Sequence, residues 1–178
     1  MLPIDVITPI QVTDDHRSTM KSIKTSEFSS DGVVSQHLIF SDRAYSGNHD
    51  GLVRSETEES TSSAFKRMFE ESSAEAIHLL MPGVLVMPGF YKAMSAMIDY
   101  SKCDFAFCHF LFYDDTTVKL FDSPSIKGTF NISQTVVRRW VIEETGIPES
   151  LEELYEKVIA EYRGVEVPAI LCGGESHS

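Results

Sequence analysis

Apolar positions along this chain cluster in short runs separated by turn chemistry, and their spacing predicts alternating strands and helices. Residues 4–8 (IDVIT) form a compact apolar run that Pro9 ends, which predicts a buried strand stopping at a loop. Thr13 with Asp14 and Asp15 predicts a helix start, a capping hydroxyl followed by carboxylates at the positive end of the dipole. Residues 33–40 (VVSQHLIF) predict a second strand ending at Ser41 and Asp42, and residues 43–50 have loop chemistry. A helix over residues 58–72 places Ala64, Phe65, Met68 and Phe69 on one face.

Residues 74–90, AEAIHLLMPGVLVMPGF, are the most informative stretch. They predict a short buried strand at 76–80, a Pro82-Gly83 turn, a second apolar run, and a helix opened by Met87-Pro88-Gly89-Phe90. Pro88 suits that helix's first position, where a missing N–H costs nothing. Residues 104–113 (DFAFCHFLFY) are apolar on both alternating faces, as in a central strand buried on two sides. Asp114 and Asp115 read as a turn into residues 118–121, making a hairpin. Ser133 is expected to cap a helix whose Val136, Val137, Trp140 and Val141 face inward, with Gly146 closing it. A last helix begins at Ser150, and residues 165–171 (VEVPAIL) form a last strand with Pro168 at an edge or bulge.

This order predicts an α/β fold: a mostly parallel sheet flanked by helices, with an antiparallel hairpin added. Ligands of such sheets sit outside the carboxyl ends of the strands, here Thr8, Asp42 and the loop at residues 81–84. The 178 residues suffice for one domain, taken as residues 1–172, with residues 173–178 as a flexible tail.

Net charge of −12 opposes any extended polyanion, so nucleic acid is not an expected partner. No apolar run approaches the roughly 20 residues that span a bilayer, and no basic stretch precedes the first apolar one. Cys103, Cys108 and Cys172 have no zinc-site spacing and read as reduced thiols near the core, implying a cytoplasmic protein. No G-x-G-x-x-G or P-loop follows the first strand.

Five pieces of sequence, in order, carry a family resemblance. They are Val6-Ile7-Thr8-Pro9; His37-Leu38-Ile39-Phe40-Ser41-Asp42; Thr61-Ser62-Ser63-Ala64-Phe65-Lys66-Arg67; the 74–90 segment; and Val136-Val137-Arg138-Arg139 followed by residues 145–155. Together they resemble a family 2 glycosyltransferase with the GT-A, Rossmann-like, nucleotide-sugar fold. The resemblance implies that Thr8, Pro9 and Asp42 hold the base of a UDP- or GDP-type nucleotide-sugar donor. Asp42 takes that role with one extra residue before it, and an ungapped match gives it to Ser41. Lys66 and Arg67 lie where the family's helix flanks the sugar diphosphate, and Phe65 and Lys66 replace the Arg and Asn usual in its pattern.

Family members carry acidic metal ligands (a DxD-type motif) at the positions of Met81, Gly83 and Val84. These three offer no carboxylate, so a divalent metal held in that manner is not expected. Arg17, Arg138 and Arg139 are further cations that could meet phosphate. The late acidic pair, Glu152 and Glu153, matches the family's base that activates the acceptor hydroxyl. Ser150-x-x-Glu153 is also a helix capping box, which gives Glu153 a structural alternative. His78 and His109 read as packed imidazoles, and His16 and His49 as loop or helix-start residues. Two functions stay open: sugar transfer from a nucleotide-sugar to an acceptor the sequence does not identify, or an inactive GT-A-like module binding a nucleotide, glycan or protein. Oligomeric state is not specified.

Overall fold

The computed structural model of the protein describes residues 1–11, 14–41, 52–54, 59–113, 118–121 and 132–175. Its first strand, β1 (Ile4–Ile10), is buried at every position. It runs through Pro9, so Thr8 is not the strand end that the sequence suggests. Ile7 turns its carbonyl to Leu80 N–H, so alternate residues face β4 (Ala76–Leu79), and Pro9 would face it beyond the last paired residue. The N–H that proline lacks has no ladder partner there to lose.

Helix α1 (His16–Phe28) opens on Asp15, whose carboxylate accepts from Ser18 N–H at 2.7 Å. The cap is therefore Asp15. The expected cap, Thr13, lies outside the described residues. Strands β2 (Val34–Ser41) and β3 (Leu52–Arg54) follow, then α2 (Thr61–Glu71), capped by the Ser60 hydroxyl. After β4 come β5 (Val84–Val86), α3 (Phe90–Ser101), β6 (Phe105–Tyr113) and β7 (Val118–Phe121). Gly89, with φ of 83°, is the residue before α3, so Pro88 lies outside the helix and not at its first position.

The largest difference from the sequence reading lies at Ser133. It sits in a 3-10 turn (Ile132–Gln134) leading into a strand, β8 (Thr135–Arg138), and α4 (Arg139–Thr145) starts only afterwards. Val136 and Val137 are fully buried on opposite faces of that strand, and Trp140 is 44% exposed, edge-on to Tyr162. The gap between β4 and β6 decides this, because β8 pairs with both and supplies β-branched side chains to both cores. Helix α5 (Leu151–Glu161) and β9 (Gly164–Glu175) complete the chain.

Among the described residues the nine-stranded sheet has the order β3-β2-β1-β4-β8-β6-β9-β5, with β7 pairing β6 as the expected antiparallel hairpin. Strands β1, β2, β3, β4, β6 and β9 share one direction, and β5, β7 and β8 oppose it. The mixed, mostly parallel α/β architecture expected from the sequence is thus the one found. Helices α1 and α3 cover one face, packing Ile23, Phe90, Met94 and Ile98 on Ile4, Val6 and Ile10. Helices α2, α4 and α5 cover the other, packing Phe65, Met68, Val141 and Leu154 on Ile7, Ile77 and Leu79.

Strand β9 lies inside the sheet, and Pro168 and Ala169 form a bulge between the pairs Cys108–Val167 and His109–Ile170. It continues through residue 175, with Gly173 and Gly174 paired to both β5 and β6 and Glu175 to β6, so the expected tail begins later than residue 173. The glycines of that expected tail are what let three strands approach: a Cβ on Gly173 would lie 2.7 Å from the Leu111 carbonyl oxygen. All three cysteines are buried free thiols. No helix of the described residues is long and apolar enough to cross a membrane.

Candidate functional site

A groove opens at the carboxyl ends of the parallel strands, between the start of α2 and the connection from α4 to α5. It comprises two adjoining cavities of about 510 and 320 Å³ that share Ser60, Ser62 and Glu149. Lys66, Ser63, Ile147 and Pro148 line the first; Met81, Ile132 and Glu152 are among those lining the second. Gly146, with φ of 72°, ends α4 and turns the chain into this wall, and Ser62 donates a hydrogen bond to the Pro148 carbonyl across it. The first turn of α2 lines the rim through Ser62 and Ser63, and the Glu59 carboxylate just before the helix accepts from the Ser63 hydroxyl at 3.4 Å.

Three residues singled out in sequence line this groove from distant positions, Lys66 in the first cavity and Met81 and Glu152 in the second. Lys66 supplies a cation from the exposed face of α2. Met81 lies at the end of β4 and packs against both hydrophobic cores. Glu152 accepts from the Ser150 hydroxyl at 2.8 Å.

The others are placed differently. Glu153 does not line the groove. Its N–H donates to Ser150 Oγ as the helix cap requires, but its carboxylate points along α5 to Lys157 Nζ, 3.0 Å away. Only half of the expected capping box forms, and the pair splits by orientation because neighbours on a helix face different directions. Arg67 holds Glu59 at 2.7 Å and sits 5.4 Å above the Phe40 ring. Thr8 is fully buried on the α1 side, its hydroxyl 2.8 Å from His37 Nε2, and Pro9 is buried beside it. Gly83 (φ 88°) and Val84 form the turn into β5, with Val84 buried. Asp42, His49, and Asp114 and Asp115 with the turn expected there lie outside the described residues.

Arg138 and Arg139 serve the framework. Arg138 donates to the carbonyls of Cys103 and Ile98, and Arg139 donates to those of Ser72 and Phe69 at the end of α2. Arg17 is exposed on α1.

Glu149 is the groove residue that the sequence reading assigned no role. Its signal was its place between a Gly-Ile-Pro turn and a helix cap, which presents a carboxylate at a loop corner. The donor set of the 81–84 loop is a thioether, a proline ring, a glycine and a valine, which does not fit a hard divalent cation. Among the described residues no three His, Cys, Asp or Glu side chains are grouped as metal ligands would be.

Beneath the loop lies a fully buried imidazole. His78 Nε2 donates to the Ser133 carbonyl at 2.9 Å, and its Nδ1 is 3.0 Å from the Tyr91 hydroxyl. Burial lowers its pKa to about 4, with the bond to Ser133 opposing part of that fall. Burial likewise pushes the Tyr91 hydroxyl well above its ordinary range.

The architecture is a glycosyltransferase-like α/β fold. A similar solved structure is that of S. aureus TarS, a glycosyltransferase: TM-score 0.72, 98% of this chain covered, 10% sequence identity. The chain spans 37% of the length of that TarS chain. No family model matches the sequence, and no curated protein matches it.

Proposed function

We propose that this chain is a family 2-type, GT-A nucleotide-sugar domain that transfers a sugar to an acceptor hydroxyl in the groove between α2 and the α4–α5 connection. The observation that carries this reading is the pair of adjoining cavities at the strand ends, one lined by Lys66 and Glu149 and the other by Met81, Glu149 and Glu152. In the proposed step the Glu152 carboxylate takes the acceptor's proton as that oxygen bonds to the sugar's anomeric carbon. The bond from that carbon to phosphate breaks, and the nucleoside diphosphate leaves with the electron pair. Lys66 stabilises the charge that gathers there. Asp42 holds the donor's base, and no step passes through a metal ion.

The oxygen-poor Met81 loop favours a second reading, in which the groove binds the same donor without turnover. Calorimetric titration with UDP-glucose, GDP-mannose and the free diphosphates, with and without manganese, tests both. Metal-independent binding weakened by Lys66→Ala and Asp42→Ala supports the site. Manganese-dependent binding overturns the metal-free mechanism, and no binding by any of these overturns the nucleotide-sugar assignment. Product formed from any donor decides for transfer over binding alone.

A further inference from the structure

A chain of hydrogen bonds runs through the core from α1 to the floor of the groove. Ser26 Oγ lies 2.7 Å from the Tyr91 hydroxyl, that hydroxyl 3.0 Å from His78 Nδ1, and His78 Nε2 2.9 Å from the Ser133 carbonyl. Ser133 then uses its hydroxyl to accept the Met81 N–H at 2.9 Å.

The directions are forced. A carbonyl only accepts, so Nε2 carries the imidazole proton and Nδ1 must accept. Tyr91 therefore spends its one hydrogen on His78, and Ser26 must donate to Tyr91. Ser26, His78, Tyr91 and Ser133 are all essentially inaccessible to solvent, so water does not replace a missing partner. The Met81 loop needs such support, since none of residues 81–84 has a side chain able to hydrogen-bond strongly.

We propose that Ser133 and His78 are positioning residues: this neutral chain holds the Met81 loop in place and so fixes the floor on which the groove's ligand rests. The inference rests on the proposed function only for what the ligand is. Orientation by the chain is a separate claim, because the loop's position can be read without any ligand.

The test measures amide hydrogen exchange at Met81 together with affinity for UDP-glucose and GDP-mannose. Ser133→Ala keeps the carbonyl that His78 uses and removes the hydroxyl that accepts the Met81 N–H. It is expected to speed exchange at Met81 by about tenfold, leave Ile77 and Leu79 protected, and weaken donor binding by a similar factor, with Ser133→Thr restoring both. Tyr91→Phe, which leaves Ser133 intact, is expected to move Met81 exchange in the same direction through His78.

Unchanged Met81 exchange in Ser133→Ala and Tyr91→Phe, with only a lower melting temperature, overturns the proposal by reducing the chain to core packing. Faster exchange with donor affinity at the wild-type value also overturns it. If wild-type protein binds neither donor, the assignment of the ligand fails by itself, and the exchange measurements still decide whether the chain holds the loop.

Discussion

The guanidinium of Arg139 lies 4.3 Å above the Phe69 ring and donates to the carbonyls of Phe69 and Ser72, closing the carboxyl end of α2. A cation that sequence offers to a phosphate is thus committed to the framework from α4, while Lys66 on α2 remains at the groove. Arg139→Ala is expected to lower unfolding free energy by about 1–3 kcal/mol through unmet carbonyls and lost stacking. Donor affinity should be unchanged. Lys66→Ala should do the reverse, weakening donor binding by about tenfold at near-constant stability. Urea unfolding and calorimetry on both variants check this.

Glu152 and Glu153 separate in the same way. If Glu152 is the base, Glu152→Gln lowers turnover by roughly 10²–10⁴-fold. Glu153→Gln removes a half-exposed pair with Lys157 and is expected to change stability by less than about 0.5 kcal/mol and turnover hardly at all. Steady-state rates for the two variants decide between them; equal losses would return Glu153 to the site.

His78 predicts a pH dependence. The unfolded imidazole takes a proton below its usual 6.5, whereas the buried one resists until about 4. Between those values the unfolded state binds more protons, so stability is complete above pH 6.5 and is lost as pH falls toward 4. The loss approaches about 3 kcal/mol if no other group compensates. Denaturation midpoints measured across this window should fall with pH, and His78→Gln, less stable at pH 7, should flatten that slope.

Gly173 predicts rigidity in a segment that composition marks as a tail. A methyl group there meets the backbone oxygen of Leu111 at 2.7 Å, which no side-chain rotation relieves. Gly173→Ala is expected to destabilise by about 1–3 kcal/mol, measured by thermal unfolding. A neutral effect would mean that β9 ends before it.

How much was legible in the sequence varies by element. Strands β1, β2, β4, β6 and β7 and helices α2, α3 and α5 follow from local apolar spacing, because each side chain's face is set by the period of its own element. Pro168 was legible as marking an edge or a bulge, since proline cannot complete a regular ladder, and the pairing of β9 selects the bulge. Strand β8 was not. Its Thr-Val-Val-Arg run fits either a strand or the start of a helix, and only the gap between β4 and β6 selects the strand.

The same division holds at the site. Sequence by itself determined the α/β class, the oxygen-poor loop at Met81 and the identities of Lys66 and Glu152, because these depend on residue type and order. Only tertiary structure decided that Lys66, Met81, Glu149 and Glu152 share one groove, that Glu153 and Arg139 do not, and that His78 reaches Met81 through Ser133. Those are relations between segments far apart in the chain, fixed by the packing of helices on a common sheet, and no local pattern encodes them.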